Sequence, residues 1–254
     1  MNVIPGAAES GVILHVPHSS RRLPPEARAS ILLDDAALAS ELDHMTDAYT
    51  DLIASSAASS AWLFVNPYSR LVVDPERFPD EREEMASVGM GAVYTRTSHG
   101  APLRSSESTV DLLARYHTPY ADAMASLVDD RLAAAGHALI LDIHSYPSRP
   151  LPYELHACGS RPAVCLGTDE FHTPPWLLEA ASLAFAPVGD VGLNSPFAGC
   201  YVPLRHYRRD ARVSALMVEV RRDVYMHEPG GLLTPDVAPL IAALARLTST
   251  AIMW

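Results

Sequence analysis

Residues 138–147 read ALILDIHSYP. Four apolar residues run straight into Asp142, His144 and Ser145. A run that short and that apolar fits a strand buried on both faces, as in a parallel sheet. Ligands of open α/β sheets bind just beyond the carboxyl ends of such strands. An aspartate and a histidine two residues apart at that edge therefore stand where chemistry takes place. The pattern recurs near the N-terminus, where VILHV (Val12–Val16) leads into Pro17-His18-Ser19-Ser20. Two apolar strands each deliver a histidine followed by serine.

The rest of the chain alternates strand and helix signals. Residues 1–10 read as a loose leader. An N-cap at Asp34 or Asp35 opens one long helix over 34–56. On it Asp43, Asp47 and Asp51 fall at i, i+4 and i+8, a stripe that repels itself unless a cation or solvent compensates. Strands follow at Trp62–Val65 and at 71–73, the latter ending in Asp74. Residues 75–105 show few periodic apolar positions and read as a long surface loop, with 97–100 read as a lid over the site. A helix over 107–135, closed by Gly136, leads to the central strand. A strand over 163–166 precedes a helix over 174–185 with proline in its first turn. Residues 187–208 are rich in Gly and Pro and read as a second active-site loop. A strand over 213–220 carries Glu219 near its end, and a helix from Thr234 closes the chain. The expectation is one domain over 1–254: a three-layer α/β/α fold around a mostly parallel mixed sheet. The 48% of hydrophobic residues supply its core.

Charge narrows the partners. With 19 basic and 30 acidic residues the formal net charge is −11, which argues against nucleic acid, since phosphate binding needs a basic surface. Three cysteines (Cys158, Cys165, Cys200) make no paired framework and no C-x-x-C spacing. They fit buried thiols in a reducing cytosol. No signal peptide is visible and no apolar run is long enough to span a bilayer. The expected setting is therefore cytoplasmic, away from any membrane.

Strand ends supply His18, His144 and Glu219, and the first long helix supplies Asp47. Two histidines and a carboxylate form the usual ligand set for a catalytic zinc with one open position. One zinc per chain is expected, although the same donors suit other divalent ions. A further carboxylate, for which Glu219 is suited, moves the proton from water to the leaving amine. Asp142 is placed to orient a ligand histidine. The plain alternatives are structural histidines, a solvated helix face at Asp47, and an ion pair between Glu219 and a nearby arginine. No HExxH or HxxE motif is present. Nor is there a G-x-S-x-G elbow for a nucleophilic serine. Arg70 and Arg77 flank a short strand, and Arg205-His206 lies in the Gly-rich loop after Asn194. Arginine pairs bidentately with carboxylates, so this set points to a small anionic substrate; the plain alternative is ordinary surface ion pairs.

At these residues the chain resembles the N-formylglutamate amidohydrolases, the family of the formylglutamate deformylase of histidine breakdown. The matching stretches are Val16-Pro17-His18-Ser19, Met45-Thr46-Asp47, Tyr68 to Asp74 with Arg77, Leu141 to Ser145, Asn194 through Arg205-His206-Tyr207, and Met217-Val218-Glu219 followed by Tyr225-Met226. The resemblance implies a fold like that of zinc carboxypeptidases and acylase-type deacylases. It implies hydrolysis of an N-formyl or N-acyl amino acid, typically N-formyl-L-glutamate to formate and glutamate. His18, Asp47 and His144 would hold zinc, with Asp43 one helical turn from Asp47 as the rival ligand. Glu219 would be general base and acid. Arg70, Asn194 and Arg205 would grip the substrate carboxylates, with Arg77 and His206 beside them. One departure stands out. The family often shows Asp-Leu-Asn-Arg where this chain has Asp74-Pro75-Glu76-Arg77, which puts a negative charge near the substrate. A zinc carboxypeptidase or peptide amidase, and a non-catalytic carboxylate-binding module, are the rival readings.

Overall fold

Residues 138–146 form a strand with every residue buried, and the sheet is built outward from it. A computed structural model describes residues 1–105, 109–155 and 159–253. Its strands are β1 (Asn2–Ile4), β2 (Val12–Val16), β3 (Trp62–Val65), β4 (Ala138–Tyr146), β5 (Val164–Gly167), β6 (Val191–Leu193) and β7 (Val213–Arg221). They lie in the order β1-β3-β2-β4-β7-β5-β6. Strands β3, β2, β4 and β7 are parallel neighbours. β1 and β5 join antiparallel to β3 and β7, and β6 pairs parallel with β5. The sheet is mixed, with a parallel centre.

The helices are α1 (Pro25–Ala29), α2 (Asp35–Met45), α3 (Thr50–Ala57), α4 (Thr109–Leu112), α5 (Thr118–Ala135), α6 (Pro175–Phe185) and α7 (Val237–Ile252). Strand alternation decides what each face carries. Leu139, Leu141 and Ile143 of β4 pack with α3, α6 and α7 in the largest apolar cluster. Ala138 and Ile140 pack on the opposite face against Tyr120, Met124, Leu127, Val128 and Leu132 of α5. Asp142 and His144 follow on that second face, toward the carboxyl end of the strand. Three layers result. Among the described residues no helix is long and apolar enough to cross a membrane.

Several expectations need correction. The helix expected over 34–56 is two helices. Thr46 is extended, Tyr49 has φ 67°, and α3 begins at Thr50. The cause is packing. Leu38, Leu42 and Met45 of α2 face a cluster made with Met85, Met90, Tyr94 and Leu103, whereas Ile53, Ala54 and Ala57 of α3 face the sheet. One straight helix cannot serve both partners. The aspartate stripe is thereby broken, and Leu52 is exposed. The segment 75–105 is the second correction. It contains a 3-10 turn at Glu84–Val88, and its Met85, Met90, Tyr94 and Leu103 side chains are buried in that same cluster. Third, the leader supplies an edge strand, and 71–73 is a buried turn instead of a strand. Fourth, the helix before β4 opens into a π turn at Leu113–His117. Pro119 has no N–H to donate and its ring crowds the Arg115 carbonyl, which widens the turn. The expected start at Glu107 lies outside the described residues, as does Cys158. Cys165 is buried and Cys200 half-buried, and both are free thiols.

Leu141 of β4 is fully buried between β2 and β7. Leu141→Ala should lower unfolding free energy by roughly 2–5 kcal/mol in urea denaturation. Leu52→Ala, on an exposed helix face, should change it by less than about 0.5 kcal/mol.

Candidate active site

Strand register brings the chemistry together. His15 of β2 lies opposite Asp142 of β4, and His144 of β4 opposite Glu219 of β7. His18 follows β2 in a loop pinned at two points. Asn66 donates from its side chain to the Pro17 carbonyl at 3.0 Å, and the Asp47 N–H donates to the His18 carbonyl at 3.0 Å. The second bond sets the break between α2 and α3 against the end of β2. Asp47 thus reaches the sheet edge because the helix is interrupted there.

Three atoms converge. His18 Nδ1 and His144 Nδ1 stand 3.2 Å apart, and Asp47 Oδ2 lies 3.1 Å from the latter and 3.6 Å from the former. All three side chains are buried and grouped closely enough to hold one metal ion. The spacing fits. Ligand atoms around a tetrahedral zinc with bonds of about 2.0–2.1 Å stand roughly 3.3–3.5 Å apart. Each ring also turns its other nitrogen to a carboxylate, the arrangement that fixes the tautomer of a metal-binding histidine. His18 Nε2 meets Asp74 Oδ1 at 2.9 Å, and His144 Nε2 lies 3.0 Å from Asp142 Oδ1. The second contact is close but poorly angled, and His144 Nε2 makes no hydrogen bond. Asp43, the alternative ligand, is paired with Arg21 at 2.5 Å near the surface.

Arginines hold the carboxylates. Arg222, just beyond β7, donates to Asp47 Oδ1 at 3.0 Å, to the Ser145 carbonyl at 3.2 Å and to the His44 carbonyl at 2.5 Å. One carboxylate oxygen of Asp47 is thereby tied, and the other is left to the histidines. Arg70 donates to Asp74 Oδ2 at 2.7 Å, and Tyr94 donates its hydroxyl to the same oxygen. Burial alone would raise the pKa of Asp47 and Asp74. The histidine and arginine partners outweigh it and hold both low. Burial would likewise lower His144, but Asp142 and Glu76 carry it well above the usual range. Glu219 differs. Burial dominates there and raises its pKa to about 7, and its Oε2 has no hydrogen-bond partner among the described residues.

A cavity of about 510 Å³ opens over this group, lined by His18, His144, Glu219, Arg70, Arg77 and Asn194 among others. Arg77 lies 3.7 Å from Asp74 and 3.5 Å from Glu83. Asn194 closes the end of β5 and β6 by exchanging two hydrogen bonds with Thr168, at 2.8 and 2.9 Å. Arg205 and His206 do not join the site. Both turn to Asp129 of α5, at 2.5 and 3.1 Å, and neither lines the cavity. The carboxylate on the neighbouring helix captures them. Their neighbours Leu204 and Tyr207 line the cavity instead. Sequence reasoning passed over Asp74 and Arg222. Asp74 had a signal, because RLVVD repeats the apolar-run-then-acid pattern of ALILD. Arg222 had none, since its partners come from the end of α2, the break after it and β4.

The sequence matches the family model described as N-formylglutamate amidohydrolase over residues 10–226, a span that includes every side chain described above. The chain belongs to this family. It is 28% identical over 258 residues to the N-formylglutamate deformylase of Pseudomonas aeruginosa, covering 96% of this chain and 93% of that protein. Two solved structures share the fold. An N-formylglutamate amidohydrolase from Ralstonia eutropha JMP134 superposes with a TM-score of 0.82 at 19% identity, over 98% of this chain and 96% of that one. A gene product of Agrobacterium tumefaciens gives 0.72 at 19% identity, over 99% and 94%.

Arg222 and Asp47 form a buried ion pair, and removing the cation strands a buried charge. Arg222→Gln should cost about 3 kcal/mol of stability in thermal or urea unfolding. Arg221→Gln, which breaks a half-exposed pair with Asp223, should cost less than about 1 kcal/mol.

Proposed function

We propose that this family member hydrolyses the formyl amide of an N-formyl amino acid, with N-formyl-L-glutamate the first substrate to try. In this reading one divalent ion, zinc first among candidates, is held by His18 Nδ1, His144 Nδ1 and Asp47 Oδ2. The observation that carries the proposal is that triangle of donors, spaced for a tetrahedral ion beside a carboxylate that is otherwise unpartnered. When bound, such an ion polarises an amide carbonyl and lowers the pKa of water toward neutrality.

The remaining work falls to the chain's own side chains. Glu219 stands one strand from His144, in register with it. Its Oε2 takes the proton of the attacking water and returns it to the leaving nitrogen. A carboxyl kept near pKa 7 by burial is suited to exchange a proton in both directions. Asp74 and Asp142 hold the two imidazoles in orientation, and Arg222 does the same for Asp47. Arg70 lies at the cavity wall with its Nη1 4.0 Å from Asp47. It is placed to meet negative charge that develops on the carbonyl oxygen or stands on a substrate carboxylate. Arg77 offers the second cation on that wall.

Two variants test this with N-formyl-L-glutamate, reading formate release and zinc content together. His144→Ala should lose both zinc and activity. Glu219→Gln should keep zinc while turnover falls by about 10²–10⁴-fold. Full turnover in Glu219→Gln would overturn the assignment of the proton-transfer residue. Unchanged zinc in His144→Ala would overturn the metal reading.

A further inference from the structure

Behind the two facing histidines lies a second group of ligand-type side chains, of which the reaction above uses only Asp142, to orient His144. Here His15 Nδ1, Asp142 Oδ1 and a carboxylate oxygen of Glu76 lie within 4.8 Å of one another. We propose that His15, Glu76 and Asp142 form a second divalent-cation site, adjoining the first. It goes beyond the hydrolytic reading and rests on its own geometry.

The group leaves one carboxylate oxygen without a donor. His15 Nδ1 lies 2.8 Å from Asp142 Oδ1 and 3.4 Å from Glu76 Oε1. One ring nitrogen carries one proton, so it can satisfy only one of these carboxylates. Glu76 Oε1 is the one left over. That oxygen is buried and has no hydrogen-bond partner among the described residues. His144 Nε2 faces the same two carboxylates, at 3.0 Å from Asp142 Oδ1 and 3.2 Å from Glu76 Oε2, but makes no hydrogen bond to either, and the two carboxylates repel each other unless a cation sits among them. A divalent ion in place of that proton is shared by all three atoms.

The surroundings are arranged for ligation. His15 is wholly buried, and its Nε2 is hydrogen-bonded to the Tyr120 hydroxyl. The ring can keep its proton on that side and leave the Nδ1 lone pair free. Asp142 is fixed by the Tyr201 backbone N–H, which donates to Oδ2 at 3.3 Å and leaves Oδ1 for the ion. The Glu76 backbone N–H donates to Asp74 Oδ1 at 3.3 Å, tying this residue to the turn behind His18. The other carboxylate oxygen of Glu76 lies 3.2 Å from His144 Nε2, a buried nitrogen without a hydrogen bond. Donors from one imidazole and two carboxylates suit zinc, manganese or ferrous iron. An all-oxygen preference would be needed for calcium or magnesium.

The site also accounts for the acid at position 76. Glu76 and Asp142 both line the cavity. Without a cation their charges oppose an anionic substrate. With one, the same wall is neutral or positive and accepts a carboxylate.

Metal content decides the matter. Metal-free wild type, Glu76→Gln and Asp47→Asn are each equilibrated with excess zinc, desalted and counted by plasma mass spectrometry. Wild type should hold about two zinc ions per chain, and each variant about one, since structural-type sites bind tightly enough to survive desalting. Anomalous diffraction at the zinc edge should place the second peak between His15 and Glu76. Glu76→Asn serves in the same role if the glutamine variant melts early. About one ion in both wild type and Glu76→Gln, lost in Asp47→Asn, overturns the second site and leaves the first standing. One ion in wild type and in Asp47→Asn, lost in Glu76→Gln, places the only ion at Glu76 and overturns the first site instead.

Discussion

Two imidazole nitrogens from different strands face each other 3.2 Å apart in a buried pocket, with a carboxylate oxygen alongside. Much of the architecture serves to hold that contact. Parallel pairing of β2, β4 and β7 sets His18, His144 and Glu219 at one edge. The interruption between α2 and α3 delivers Asp47 to the same place. Buried charge at this density is tolerable only when every carboxylate has a cation or a hydrogen-bond donor. Arg222 supplies one for Asp47 and Arg70 one for Asp74. The two oxygens left without partners, on Glu219 and Glu76, are the two places where the site has chemistry in reserve.

The central strands were legible because a strand buried on both faces is a short, nearly unbroken apolar run, a signal that also misread the buried turn at 71–73. VILHV and WLFV become strands at the expected residues, and ALILD opens a strand that continues through Tyr146. The helix pattern was less reliable for a physical reason. Apolar spacing across 34–56 is nearly continuous, but it is made of two stripes that face different partners. Only the third dimension separates them. The same holds for the segment 75–105. Its buried methionines, Tyr94 and Leu103 have no period, because a loop that folds back on itself obeys none.

The site was legible to about the same depth. Residues at strand ends could be read from the strands, and His18, Asp142, His144 and Glu219 are brought together. Asp47 was assigned to an unbroken helix, and reaches the site only because that helix ends. Arg205 and His206 show the limit of reading charge from a loop. An arginine beside a cavity pairs with whichever carboxylate is nearest, and here that is Asp129 on the helix surface. Glu76 is the opposite case. As a departure from its family's pattern it looked like an obstacle to an anionic substrate, and the structure gives it three histidines and an aspartate as neighbours.

The central claim is that the facing histidines and Asp47 bind one ion through Nδ1, Nδ1 and a carboxylate oxygen. X-ray absorption at the zinc edge on Glu76→Gln protein, loaded with about one zinc per chain, tests it most directly. The account predicts a four-coordinate ion with two imidazole nitrogens and oxygen ligands at about 2.0–2.1 Å. A spectrum without imidazole scattering, or with a single histidine, would contradict it.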